Sequence, residues 1–97
     1  MLPGFDLANR IALVTGSSRG LGWAFAQGLA TSGARVLLHG RDAGALRERA
    51  AELAARGTPA LDTLTFDVTD APAVKAAFEA VAARHGPLGI LVNWDWD

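Results

Sequence analysis

Apolar residues along the chain fall into two rhythms: short aliphatic runs, and longer stretches with apolar positions three and four apart. The first run, Ile11-Ala12-Leu13-Val14, predicts a buried strand over about residues 10–15. A helix is predicted over about residues 20–32, with Leu21, Ala24, Phe25, Gly28 and Leu29 on its inward face and Gly33 at its C-terminal cap. Arg35-Val36-Leu37-Leu38-His39 reads as a second strand. Asp42 then caps a second helix, which turns Leu46, Ala50, Leu53 and Ala54 inward and Arg47, Glu48, Arg49, Glu52 and Arg56 to solvent. Residues 60–66 alternate in polarity, which suits an edge strand. Asp70 caps a third helix that tolerates Pro72 in its first turn and carries the stripe Val74, Ala77, Phe78, Val81 and Ala82. A fourth strand follows over about residues 88–93. Phe5 and Leu7 are expected to anchor the lead-in.

Strands alternating with helices imply right-handed parallel crossovers. The expected fold class is α/β: a parallel sheet of about four strands in the order 3-2-1-4, with three helices on both its faces. The first two helices are placed on one face and the third on the other. Residues 1–93 form the domain and residues 94–97 an atypical tail, Trp94-Asp95-Trp96-Asp97, able to extend the fourth strand or to hang free. In such a sheet a ligand sits at the carboxyl ends of the strands where the order reverses, here between the first and fourth.

Composition narrows the picture. Ninety-seven residues allow one small domain, and an apolar share of 51% is ample for a core. The net charge is −1 with the basic residues scattered, so neither nucleic acid nor a membrane surface is an expected partner. No run approaches the ~18–20 apolar residues needed to cross a bilayer. Cysteine is absent, which fits a reducing, cytoplasmic setting. His39 and His85 read as structural or solvent-facing, Trp23 as partly buried packing and Lys75 as a solvated charge, and nothing suggests a metal site.

The candidate chemistry lies between the first strand and the first helix, where glycines stand at positions 16, 20 and 22. The unpaired N–H groups of a first helical turn and the positive end of its dipole converge there, and glycine lets an anion approach the backbone. The junction therefore predicts a phosphate site.

Thr15-Gly16-Ser17-Ser18-Arg19-Gly20-Leu21-Gly22 matches the Thr-Gly-x-x-x-Gly-x-Gly motif of the short-chain dehydrogenase/reductase family, and Phe66-Asp67-Val68-Thr69 matches its adenine motif. Asn93 is the one matching residue of the family's Asn-Asn-Ala-Gly, which Trp94-Asp95-Trp96-Asp97 otherwise replaces. Over about residues 5–93 the chain thus resembles the N-terminal half of that family, in wording closest to gluconate 5-dehydrogenase-like members, with 3-oxoacyl-carrier-protein reductases next. The resemblance implies a Rossmann-type NAD(P)-binding half-domain and oxidoreductase chemistry on hydroxyl or carbonyl substrates. Gly16, Gly20 and Gly22 would admit the pyrophosphate, with Ser17, Ser18 and Leu21 lining the turn. Asp67 would accept from the adenine amino group beside the Val68 backbone, the alternative being a strand-end Asp capping its own turn. Asn93 would contact the ribose and hold the fourth strand against the glycine turn.

After the second strand come His39, Gly40 and Arg41, with no acid before Asp42. An acid there would bind a free 2′-hydroxyl, whereas arginine accommodates a 2′-phosphate. Arg41 and Arg19 therefore favour NADP(H) over NAD(H), unless Asp42 pairs with Arg41 and blunts it.

The family's chemistry uses a Ser, a Tyr and a Lys beyond the fourth strand. This chain holds no tyrosine, and Ser17, Ser18 and Ser32 all belong to the first strand–helix unit. No residue is assigned a catalytic role, and the chain is expected to be inactive alone. The readings in play are the cofactor-binding half of an oxidoreductase, a non-catalytic dinucleotide-binding module or one completing a partner chain, and an inert fragment. The fourth strand, lacking an outer neighbour, is expected to self-associate through its edge.

Overall fold

The computed structural model describes residues 8–93. The lead-in anchors Phe5 and Leu7 and the 94–97 tail lie outside the described residues. Seven elements follow one another: β1 (Ile11–Val14), α1 (Gly20–Thr31), β2 (Arg35–His39), α2 (Ala43–Ala55), β3 (Asp62–Leu64), α3 (Ala71–His85) and β4 (Ile90–Val92). All pairings are parallel and the strand order is β3-β2-β1-β4. This is the α/β arrangement that the alternating pattern predicts.

The two sheet faces divide the core by the period of two. Ala12 and Val14 of β1 and Val36 and Leu38 of β2 pack with Trp23, Ala26 and Ala30 of α1 and Leu46 and Leu53 of α2. Ile11, Leu13 and Leu37 face the other way, onto Val81 and Phe78 of α3. Helices α1 and α2 thus share one face and α3 takes the other. Leu13, Leu37, Leu38, Leu46 and Leu53 are all fully buried, and each contributes about 1.5–3 kcal/mol of hydrophobic stabilisation.

Three expectations change. The first concerns the phase of α1: Leu21 and Phe25 are 43% and 41% exposed, Ala24 and Gly28 are exposed as well, and the buried positions are Gly22, Trp23, Ala26 and Ala30. Leu21 and Phe25 keep helical spacing, but α1 is rotated so that Gly22 meets β1, which carries both outward. Second, Ala54 and Ala82 lie on exposed positions, because α2 and α3 each present a narrower apolar seam to the sheet. Third, β3 and β4 are shorter than the stretches, 60–66 and 88–93, that predict them. Beyond the ladders, Leu61 still donates to the Val36 carbonyl at 2.7 Å and Gly89 to the Ile11 carbonyl at 2.9 Å, so both edges stay tied to the sheet.

At the amino end of the sheet, Asp62 of β3 faces His85 Nε2 at 3.2 Å and an Arg84 guanidinium nitrogen at 3.4 Å, both from the last turn of α3. His85 is therefore structural.

Candidate functional site

The carboxyl ends of the four strands deliver Thr15, His39, Phe66 and Asn93 to one end of the sheet, where the glycine turn runs from β1 into α1. Gly16 and Gly20 both have φ of 61°, a left-handed conformation that glycine adopts without strain. Between them, Arg19 stands at the N-cap of α1 in extended conformation and makes no side-chain cap. The contrast with the other helices is direct. Asp42 Oδ1 accepts from Gly44 and Ala45 N–H at 2.9 and 3.2 Å, and Asp70 Oδ1 accepts from Ala73 N–H at 3.1 Å. Among the described residues no side chain caps the start of α1 in this way, and its amides and positive dipole end can receive an anion. Gly22 sets how close α1 comes: a Cβ there would stand 2.3 Å from the Gly16 carbonyl oxygen.

Ser17 is fully buried, and its polar groups turn inward. Its N–H donates to the His39 carbonyl at 2.7 Å and its hydroxyl accepts from His39 N–H at 2.9 Å. Ser17 thus shapes the turn. The Ser18 carbonyl accepts from Arg49 Nε at 2.7 Å. Leu21 lies on the outer side of the first turn of α1, and Arg19 is exposed beside the turn.

His39 is 5% exposed and bridges three elements. Its Nδ1 accepts from Gly16 N–H at 3.0 Å, and its Nε2 lies 2.6 Å from the Phe66 carbonyl after β3. An amide N–H can only donate, so this network assigns the proton to Nε2. The ring also packs on Phe66 with centroids 4.4 Å apart. Burial holds its pKa below the ordinary 6.5; the Phe66 carbonyl opposes that shift, and the Arg41 charge adds to it.

Arg41 follows β2 and is exposed, and its charge reaches Asp67 across the ends of the strands. Asp42, engaged at the start of α2, makes no ion pair with it among the described residues. Asp67 Oδ1 accepts from Thr69 N–H at 2.9 Å and Thr69 Oγ1 at 2.8 Å. Those two bonds hold its carboxyl below the usual range, so the group is an acceptor at neutral pH. The turn reading and the acceptor reading of Asp67 are compatible, since only one carboxylate oxygen is engaged. Val68 is half-buried beside it. Asn93 Oδ1 accepts from the Thr15 hydroxyl at 3.0 Å, and Thr15 N–H donates to the Val92 carbonyl at 2.9 Å. Together these bonds hold the end of β4 against the base of the turn.

Sequence reasoning underrated two residues. His39 is central to the site, and the available signal was its place at the carboxyl end of an otherwise apolar strand. Arg49, expected at the solvated side of α2, is half-buried, donates to Ser18 and Glu52, and lies over the Trp23 ring at 4.7 Å. Trp23 itself is buried. Among the described residues no helix is long and apolar enough to cross a membrane, and no cluster of three or more metal-ligating side chains occurs.

The sheet order, the glycine turn and the switch point between β1 and β4 define a Rossmann-type α/β fold. The family model for short chain dehydrogenase matches residues 10–94, and the chain belongs to that family. It is 45% identical over 89 residues to gluconate 5-dehydrogenase of Gluconobacter oxydans, covering 92% of this chain and 34% of that protein. Over 93 residues it is 42% identical to the rhamnolipids biosynthesis 3-oxoacyl-[acyl-carrier-protein] reductase of Pseudomonas aeruginosa, covering 96% of this chain and 36% of the other. Among solved structures, gluconate 5-dehydrogenase from Burkholderia cenocepacia in complex with NADP and tartrate superposes with a TM-score of 0.80. That match has 37% identity and covers 89% of this chain and 33% of that one. The chain thus spans about a third of the length of the relatives it matches.

Proposed function

We propose that residues 1–93 are the cofactor-binding half of an NADP(H)-dependent short-chain oxidoreductase of hydroxyl and carbonyl substrates, in the polyol and sugar-acid class. Gly16, Gly20, Gly22 and the first turn of α1 receive the pyrophosphate, with Ser18 and Leu21 alongside and Ser17 holding the turn to β2. Arg41 and Arg19 meet the 2′-phosphate, Asp67 and the Val68 backbone meet the adenine, and Asn93 meets the ribose. When bound, the nicotinamide supplies or takes up the hydride; these residues bind and orient it.

One observation carries the preference for NADP(H). Arg41 stands where the ribose 2′-position is read, and the neighbouring carboxylate, Asp42, is engaged by the amides of Gly44 and Ala45. The site therefore offers a dianionic group a guanidinium that Asp42 does not neutralise. The Burkholderia structure, with NADP bound, supports this reading, as does the gluconate 5-dehydrogenase relative for the substrate class.

A second reading is a dinucleotide-binding module without chemistry of its own, or one that completes a partner chain. The sequence holds no tyrosine, and its single lysine, Lys75, is 81% exposed on α3 opposite Glu79. Calorimetric titration of the chain with NADP⁺ and NAD⁺ tests the cofactor assignment common to both. Tighter binding of NADP⁺, with the preference lost in Arg41→Ala, is the expected outcome. Equal affinities in the unaltered chain would remove the 2′-phosphate assignment. Turnover of a polyol by the chain alone would remove the second reading.

A further inference from the structure

We infer that His39 is a positioning residue for the dinucleotide: its neutral ring fastens the glycine turn to the ends of β2 and β3, and protonation of that ring releases the turn and weakens binding. This rests on the function proposed above, because the turn matters to affinity only if the pyrophosphate sits on it.

The geometry leaves the ring one way to satisfy both neighbours. Gly16 N–H needs a lone pair on Nδ1 at 3.0 Å, and the Phe66 carbonyl needs a proton on Nε2 at 2.6 Å. Protonation would aim Nδ1–H at Gly16 N–H, donor against donor, at a part-buried contact. One of the two must swing away. Gly16 is the residue that would move, since glycine at φ of 61° is the softest point of the turn, whereas the ring is held by Phe66 on one side. Phe66 is itself braced edge-on by Phe78 of α3 at 6.4 Å.

The Arg41 charge works in the same direction. Arg41 follows β2 two residues after the ring, and its charge acts on it; Arg19 stands exposed in the turn. From the segment after β3 the carboxylate is Asp67, with one oxygen held by Thr69. At the start of α2 it is Asp42, held by the helix amides. The α3 side presents the uncharged Phe78. Burial is the larger cause, and with Arg41 it outweighs the Phe66 carbonyl and holds the ring's pKa below its ordinary value.

The test titrates the 97-residue chain with NADP⁺ and NAD⁺ between about pH 8 and about pH 5, the range over which histidine changes charge. Two variants are compared. In His39→Asn the amide oxygen takes the place of Nδ1 and can accept from Gly16 N–H at every pH. His39→Leu removes both bonds. The unaltered chain should lose about tenfold in affinity on acidification beyond whatever His39→Asn loses, and His39→Leu should be about tenfold weaker throughout. His39→Asn is the necessary reference because the 2′-phosphate of NADP⁺ itself titrates near pH 6; NAD⁺ lacks that group. Parallel pH profiles for the unaltered chain and His39→Asn, over the acid range in which the His39 ring resonances show it taking up its proton, would overturn the inference. If neither dinucleotide binds at any pH, the proposed function fails. The inference about the turn is then decided by the Gly16 amide resonance, which must shift with protonation of the His39 ring; an indifferent Gly16 amide would overturn it as well.

Discussion

Gly22 of α1 lies against the Gly16 carbonyl so closely that a Cβ on Gly22 would stand 2.3 Å from that oxygen. The contact fixes both the distance from α1 to β1 and the rotation of the helix, and it leaves Ala26 and Ala30, one and two turns on, to meet the sheet. Gly22→Ala pits a helix preference of about 1 kcal/mol against a backbone clash, and overpacking of this kind costs about 1–3 kcal/mol. A net loss is expected, lowering the melting temperature by about 5 °C and moving the start of α1 away from its phosphate position. Gly28→Ala in the same helix meets nothing within 4 Å, and should stabilise by up to about 1 kcal/mol. Thermal melts of the two variants check the pair; a Gly22→Ala protein as stable as its parent would show that α1 can slide.

That contact also explains what could be read from the sequence. Strand and helix positions follow from apolar runs and caps, which are local, and Asp42 and Asp70 cap α2 and α3 where their spacing predicts. The topology follows from chirality. The face of α1 is a different matter, because Leu21 and Phe25 obey helical spacing as well as Trp23 and Ala26 do. The close approach of Gly22 to Gly16 selects between them, and it exists only once β1 and α1 are docked. His39 and Arg49 were hard to read for a similar reason. A histidine at a strand end or an arginine on a helix can face water or the protein, and only their long-range partners, Gly16, Phe66 and Ser18, decide. The glycine turn was legible because three glycines between a strand and a helix constrain the backbone regardless of what surrounds them.

Arg49 fastens the outer wall of that turn. Its Nε donates to the Ser18 carbonyl at 2.7 Å while its guanidinium lies over Trp23 and pairs with Glu52 at 2.9 Å. Arg49→Met keeps the apolar stem and removes the rest, for an expected loss of about 1–2 kcal/mol. NADP⁺ affinity should fall by a few-fold with it, about a factor of 3–10, as the turn loosens. Arg47→Met, exposed on the same helix, should stay within about 0.5 kcal/mol of the parent. Denaturant unfolding and titration of both variants check this, and equal effects would reduce Arg49 to a surface charge.

Acid should weaken the fold in two separate windows. His39 has a lowered folded pKa, so its neutral form is favoured in the native state. Its contribution is whole above the unfolded value of 6.5 and is lost as pH falls below it. Desolvation pushes the Asp62 carboxyl up, but hydrogen bonds from His85, Thr63 N–H and Arg84 outweigh it and leave the group lowered. That contribution is whole above 3.8 and disappears as pH falls through and below that value. Stability measured against pH should therefore lose its upper step in His39→Asn and its lower step in Asp62→Asn. A profile unchanged in either variant would mean that the corresponding bond is not maintained in solution.

The outer edge of β4 is the last feature with a measurable consequence. Among the described residues β4 pairs on one side, with β1, and Leu91 is 48% exposed on it. Next to it, Leu13, Phe78, Val81 and Leu88 line a cavity of about 140 Å³ beneath α3. A parallel strand buried on both faces is the normal state of such a sheet, and an apolar edge with unpaired amides is a template for pairing with another chain. We propose that the chain self-associates here, β4 against β4 of a second copy. Sedimentation should show a monomer–dimer equilibrium that shifts with concentration, and Leu91→Lys should move it to monomer while leaving unchanged the dinucleotide site proposed at the carboxyl end of the sheet. A dimer indifferent to Leu91→Lys would place the contact elsewhere, and a monomer at every concentration would mean that the edge is protected within the chain itself.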